Sequence, residues 1–273
     1  MIELIEVGPF ATIQDGGRVG YAHLGVARSG AFDRAALQLA NRLVGNSPEA
    51  PAIEFTLGGL GFRAHDAVTV AVAGAVCPGL GWGVATTIAP GAVVRFGAPS
   101  AGLRSYLAVR GGLDVTAELN SCSTDTMSGL GPPPLRSGDR LSIGGAPQSE
   151  VSGAVAHPRR LTHRLGVVIG PRDDWFDPRA VDTLTSAAWT VRADSNRIGL
   201  RLDGPRLERV RTDELASEPT VPGALQVPPD GRPILLGPDA PVTGGYPVIA
   251  VVRRPGMDVA GQLRPGDVIW FSP

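Results

Sequence analysis

Glycine and proline decide what this chain can fold into. Gly occurs 37 times and Pro 25 times in 273 residues, more than a fifth of the total. They fall between short β-branched and apolar runs rather than in one low-complexity tract. Glycine weakens helix interiors and proline breaks them, so this spacing favours strands joined by turns. Strands are expected at Val68–Ala73, Val93–Phe96, Arg104–Val109, Arg140–Ile143, Gly166–Ile169, Thr190–Val191, Leu200–Leu202, Ala224–Val227, Ile234–Leu236, Val248–Val252 and Val268–Phe271. A mainly β fold of the sandwich or barrel class follows.

One segment departs from that pattern. Ala31–Val44 carries Ala36, Leu39, Ala40 and Leu43 at helical spacing, which predicts a helix with one apolar stripe. Ser29 or Gly30 stands where an N-cap belongs, Asp33 falls in the first turn, and Gly45 occupies the C′ position.

The length allows one large lobe or two modest ones, and internal similarity favours two. LRSGDRLSIG (Leu135–Gly144) and LRPGDVIWFS (Leu263–Ser272) read as the same turn and strand. RVGYAHLG (Arg18–Gly25) echoes RIGLRLDG (Arg197–Gly204), and IEVGPF (Ile5–Phe10) echoes VVIGPR (Val167–Arg172), in the same order. These repeats predict two related β-barrels, 1–144 and 165–273, joined by a small, polar, aperiodic linker over 145–164.

Charge narrows the function classes. Charged residues make up 19% with a net charge of −1, so there is no broad positive field for nucleic acid or an anionic membrane. Every basic residue is Arg; there is no Lys. Schiff-base chemistry, a P-loop lysine and a lysine general base are thereby excluded. Cys77 and Cys122 are the only thiols, without C-x-x-C spacing, and the N-terminus lacks the pattern of a signal peptide. A cytoplasmic protein without disulfides or membrane spans is expected, its cysteines being ordinary thiols. The four histidines, His23, His65, His157 and His163, show no metal-ligand spacing, and there is no G-x-S-x-G elbow.

Two segments offer more than architecture. Thr12–Asp33 packs Asp15, Arg18, Tyr21, Ser29 and Asp33 among glycines; its amides and side chains converge on a small ligand, or Asp15 and Arg18 simply pair to hold a turn. Ser217–Pro247 holds the turn Pro229–Gly231 and then Thr243, Gly244, Gly245 and Tyr246, which suit close approach of a flat polar ligand or form a tight bend. Ser217, Glu218 and Gln226 face the same place or water. Arg110–Gly112 and the hydroxyl-rich Ser121–Asp125 form an anion-binding turn or a self-capped surface loop.

Strings along nearly the whole chain, from Ile5 to Phe271, carry a resemblance: TIQDGGRVGYAHLGVARSGAFDRAALQLANRLVGN, AIEFTLGGLGF, YLAVRGGLDV, LNSCSTD, RIGLRL, SEPTVPGALQVPPDGRPILL, DAPVTGGYP and QLRPGDVIWF. In that order they resemble the KipA-like, allophanate hydrolase subunit 2 family, which includes biotin-dependent carboxyltransferase domains. The resemblance implies tandem cyclophilin-like β-barrels with a few helices. It also implies one component of an ATP-dependent 5-oxoprolinase, its C subunit, opening 5-oxo-L-proline to L-glutamate with a KipI-like B subunit and an A subunit. ATP and Mg2+ would serve at the level of that complex. Relatives suggest two alternatives: a KipA-type regulator that binds and antagonises a KipI-like kinase inhibitor, or a subunit of a biotin-dependent urea or amide carboxyltransferase. Within this frame Asp15, Arg18 and Asp33 are the candidate catalytic residues, and Tyr21, Ser29, Glu54, Gln226, Thr243, Gly244, Gly245 and Tyr246 the candidate substrate-binding ones; no metal ligand is expected. The family often reads G-S-R-S-T where this chain has Asn120–Thr124, and G-G-x-G-R where it has Gly129–Pro133. An arginine is missing at each place.

Overall fold

The computed structural model describes residues 1–273 except Gln148 and Thr212. The chain forms two compact units. The first comprises Met1–Arg18, Ser29–Asp125 and Gly129–Arg160; the second comprises Val19–Arg28, Thr126–Ser128 and Leu161–Pro273.

In the first unit, β1 (Ile2–Val7), β4 (Leu60–Ala64), β7 (Val93–Arg95) and β9 (Arg140–Leu141) form a sheet in the order β7-β4-β1-β9. A second sheet runs β2-β3-β8-β5-β6, built from β2 (Phe10–Gln14), β3 (Ala52–Thr56), β8 (Arg104–Val109), β5 (Val68–Gly74) and β6 (Thr86–Ile88). Their ladders do not join into one closed ring, unlike those of the second unit. Ile2, Leu4, Ile13, Ile53, Phe55, Phe62, Val70 and Leu107 belong to the core of this unit. Removing such aliphatic and aromatic side chains from water drives the assembly, each contributing about 1.5–3 kcal/mol.

The helix is α1 (Arg34–Leu43), three residues shorter at its start than the sequence predicts. Asp33, not Ser29 or Gly30, is the N-cap, its side chain accepting from the Ala36 N–H at 3.0 Å. Ser29 has a left-handed backbone (φ 52°) and spends its hydroxyl on the Thr124 carbonyl, so neither its backbone nor its side chain serves the helix. At the other end Gly45 has φ 77° and its N–H bonds to Arg42. Ala36, Leu37, Ala40 and Leu43 bury against Ala71 and Ala73 of β5 and Tyr106 and Ala108 of β8. The small alanines on the sheet let the helix lie close.

The second unit contains a closed seven-stranded barrel in the order β10-β17-β14-β15-β12-β11-β18. Its strands are β10 (Arg164–Ile169), β11 (Trp189–Val191), β12 (Gly199–Asp203), β14 (Ala224–Gln226), β15 (Ile234–Leu236), β17 (Val248–Val252) and β18 (Val268–Ser272). A short antiparallel ribbon pairs β13 (Glu218–Pro219) with β16 (Thr243–Gly244). Two helices beyond the one that residue spacing predicts accompany the barrel, α2 (Arg179–Ser186) and α3 (Arg254–Ala260), in keeping with the few helices the resemblance implies. Trp189 is fully buried and donates its indole N–H to the Leu184 carbonyl of α2 at 3.0 Å. The fold is mainly β, as the sequence predicts, and every predicted strand is present.

The repeated turn has the same chemistry in both units. Asp139 accepts from the Arg136 N–H at 2.7 Å, and Asp267 from the Arg264 N–H at 2.8 Å. The strands that follow differ: β9 runs antiparallel to β1, whereas β18 runs parallel to β10 and so closes the barrel. Residues 145–160, expected to link the units, lie in the first one: Ser152 N–H bonds to Leu43 and Ala156 N–H to Gly83. Among the described residues no helix is long and apolar enough to cross a membrane.

Candidate functional site

In the first unit Asp15 follows β2 at the point where the chain turns, and its carboxylate holds a loop. Oδ1 accepts from the Gly17 N–H at 2.7 Å and the Ser121 hydroxyl at 2.7 Å; the Ser123 hydroxyl donates to the same oxygen, and Oδ2 takes the Cys122 N–H at 2.6 Å. Four donors saturate a carboxylate, which is why this acid can remain buried. The Asp15 carbonyl also accepts from Ala31 N–H at 3.0 Å. Gly30 (φ 89°) has no side chain because a Cβ there would lie 2.9 Å from Gly17 N.

Arg18 and Asp15 form no ion pair. Arg18, 1% exposed, gives Nη2 to the Ser123 carbonyl at 2.6 Å, while Nε and Nη1 are buried without an acceptor. Ser29 donates to the neighbouring carbonyl, Thr124 O, at 3.1 Å. Asp15, Arg18 and Ser29 are therefore brought together around residues 121–124.

Asp33 and Glu54 belong to a second cluster. Asp33 Oδ1 caps α1 and Oδ2 pairs with Arg159 at 3.2 Å. The Asp33 N–H donates to the Tyr106 hydroxyl at 2.8 Å, which donates to Glu54 Oε2 at 2.7 Å. The Phe32 N–H reaches the same oxygen at 3.2 Å, and Arg104 lies 3.5 Å from Oε1 with its guanidinium stacked 4.7 Å over the Phe32 ring. Burial, then the charges of Glu54 and Asp33, push the Tyr106 phenol well above its usual range. Sequence reasoning missed Tyr106, Arg104 and Arg159. The signal available for the first two was polar groups inside the wholly buried strand RSYLAV.

Cys122 is half-buried and donates weakly to the Val115 carbonyl at 3.4 Å; burial and then the Asp15 charge raise its thiol pKa, which disfavours the thiolate. Cys77 is buried beside the Ser105 hydroxyl at 3.3 Å. Both are free thiols.

The second unit gathers Gln226, Thr243, Gly244, Gly245 and Tyr246. Gln226 ends β14 and donates Nε2 to the Tyr246 carbonyl at 3.3 Å. Gly244 leaves the room that side chain needs, since a Cβ there would stand 2.5 Å from Gln226 Nε2. Thr243 and Gly244 pair with Pro219 and Glu218, and Glu218 is gripped by Arg172 through Nε and Nη2. That grip holds the Glu218 carboxyl below its usual range. Tyr246 is 45% exposed, so its ring is offered to solvent. Arg209 donates Nη2 to the Val227 carbonyl, has Nε buried without an acceptor, and has its pKa lowered by burial. Arg172 and Arg209 were not anticipated. Tyr21 belongs to this unit's segment Val19–Arg28, at the start of a short 3-10 turn over Ala22–Leu24.

The loop leading to Thr243 is anchored by an ion pair. Asp239, 0% exposed, binds Arg197, 3% exposed, through Oδ2–Nε and Oδ1–Nη2, both at 2.9 Å. Thr126 adds its N–H at 3.1 Å and its hydroxyl at 2.7 Å to Oδ2. Burial opposes ionisation of Asp239, but Arg197 and Thr126 together keep its pKa below the usual range. Among the described residues no group of three or more His, Cys, Asp or Glu could hold a metal ion.

Comparison with known proteins places this geometry in a family. The family model described as carboxyltransferase domain, subdomain A and B, matches residues 24–273; Asp15, Arg18 and Tyr21 precede the match. The C subunit of the Escherichia coli 5-oxoprolinase is 37% identical over 282 residues, covering 99% of this chain and 90% of that protein. Urea amidolyase of Lachancea kluyveri is 33% identical over 308 residues, covering 99% of this chain and 17% of that protein. The crystal structure of the Kluyveromyces lactis urea carboxylase superposes with a TM-score of 0.91 at 31% identity, covering 100% of this chain and 27% of that one. The chain thus spans nearly all of the first relative and about a quarter or less of the other two. It belongs to the carboxyltransferase domain family, subdomain A and B.

Proposed function

We propose that this chain is the C subunit of an ATP-dependent 5-oxoprolinase that opens 5-oxo-L-proline to L-glutamate. One observation carries the reading: over 99% of its residues the chain is 37% identical to a 5-oxoprolinase C subunit, against 33% to a urea amidolyase. Ring opening breaks the lactam C–N bond and adds water across it. Amide resonance makes that slow, so ATP, with Mg2+, supplies activation of the carbonyl oxygen in the assembled complex. A KipI-like B subunit and an A subunit complete the complex, and this chain alone is inactive.

Within the chain, the glycine amides of the Thr12–Asp33 segment supply electrostatic stabilisation. In the second unit, Gln226 and the Thr243–Tyr246 loop offer polar groups to substrate. Asp15, Ser29, Asp33 and Glu54 act as positioning residues, because their side-chain oxygens are engaged by the loop 121–124, the α1 cap and the Tyr106 hydroxyl.

The test is reconstitution. Co-purified with a KipI-like protein and the A subunit of a 5-oxoprolinase, the chain is expected to support ATP-dependent glutamate formation from 5-oxoproline. A formed complex without activity refutes the reading. The family's carboxyltransferase description favours one second reading, biotin-dependent carboxyl transfer to urea or an amide; carboxylation of urea by the chain with a carboxybiotin carrier would select it. A KipA-type regulator would bind the KipI-like protein and release a kinase from inhibition, with no turnover.

A further inference from the structure

The two units handle an equivalent buried arginine differently. TIQDGGRVG (Thr12–Gly20) and TVRADSNRIG (Thr190–Gly199) align with one residue inserted, placing Arg18 opposite Arg197. Both guanidiniums are removed from water, at 1% and 3% exposure. Arg197 has the Asp239 carboxylate across Nε and Nη2. Arg18 has a single carbonyl, Ser123 O, on Nη2; Nε and Nη1, which carry three of the five guanidinium N–H donors, have no acceptor. The nearby acid cannot supply the missing oxygens, because Asp15 is already held by four donors.

A buried guanidinium with unfilled donors is costly unless something acidic joins it, and a planar carboxylate is the group its geometry matches. The half-buried Gly131 covers the cation in part: a Cβ there would lie 2.6 Å from Arg18 Nη2. The Gly131 N–H is tied to Glu118 Oε2 at 2.7 Å, and Gly129 (φ 75°) and Gly131 (φ 79°) both use backbone conformations suited to glycine. The Gly129–Gly131 turn therefore packs against the guanidinium with no side chain between them.

We propose that Arg18 is the receptor for the carboxylate of a small organic acid, filling in the first unit the place that Asp239 fills in the second. Resting on the function proposed above, that acid is the lactam carboxylate of 5-oxo-L-proline, and Arg18 is the residue that selects the acid over the bare ring.

Calorimetric titration of the full chain tests this with two probes, 5-oxo-L-proline and 2-pyrrolidinone, the same ring without its carboxylate. The wild-type chain is expected to bind the acid at least roughly tenfold more tightly than the neutral lactam, and Arg18→Gln to remove that preference. Equal affinity for the two probes, no binding of the acid, or an undiminished preference in Arg18→Gln overturns the proposal. The wild-type comparison decides even where the variant fails to fold. The outcomes separate this inference from the function it rests on. Arg18-dependent binding of the acid without glutamate formation by the complex removes the function alone. Turnover with an unchanged KM in Arg18→Gln removes the inference alone.

Discussion

The backbone N–H of Asp33 and the phenol of Tyr106 meet at 2.8 Å at the entrance to α1, and the same phenol donates to Glu54 at 2.7 Å. One hydroxyl thus ties a helix start to a carboxylate in the middle of a buried strand. Tyr106→Phe leaves a buried N–H and a buried carboxylate oxygen each short of a partner. It is expected to cost about 1–3 kcal/mol, read as a shift in urea midpoint at unchanged slope.

Tyr106 also predicts a pH limit. Its folded pKa is raised above the value of 10.0 assigned to an unperturbed phenol. The neutral phenol is the form the fold favours, so its contribution is fully present below that value and is lost as pH rises through the folded pKa. Spectrophotometric titration near 295 nm should show this tyrosine ionising above the other two, or only on unfolding.

Asp33 separates capping from chemistry. Asn is as good an N-cap as Asp, whereas Ala is not. Asp33→Ala is expected to lose about 0.5–2 kcal/mol, and Asp33→Asn to keep most of the stability and, in the reconstituted complex, the activity. Loss of turnover in a fully stable Asp33→Asn variant would return Asp33 to direct catalysis.

Gly244→Ala displaces the Gln226 amide, which would otherwise stand 2.5 Å from the new methyl. The melting temperature should fall by no more than a few degrees, because Gln226 can swing outward, while KM for 5-oxoproline rises roughly tenfold or more.

Asp239→Ala strands Arg197 and should cost about 3–5 kcal/mol in chemical denaturation. The depressed pKa of Asp239 gives the sign of its pH dependence. Its stabilisation is present above the unfolded carboxyl value and disappears as pH falls through the folded one. Acid unfolding of the variant should therefore lack part of the wild-type pH dependence.

What the sequence concealed follows from where its polar residues are. β2 and β3 are hard to read because Thr12, Gln14 and Glu54 are buried within them, so the strands show no clean apolar run. β1 shifts register between Leu4 and Glu6, which disturbs its alternation. The ribbon β13–β16 is two residues per strand and leaves no pattern. α3 holds Pro255 and Gly256, which read as breakers although proline is tolerated in a first helical turn. Strands with uninterrupted apolar runs, such as Val248–Val252, are legible because burial alone dictates them. The Asp15 segment is legible as a place where groups converge. Its partners are not, since Ser121 and Ser123 lie more than a hundred residues away along the chain.

Thr126 has a practical meaning for anyone dividing the gene. It belongs to the second unit and gives Asp239 two of its hydrogen bonds, yet it is encoded far upstream of Leu161, where the main body of that unit begins. A fragment started at Leu161 would contain all seven barrel strands and still lack a support of the Thr243 loop. The two units of this molecule are interleaved in the message that encodes them.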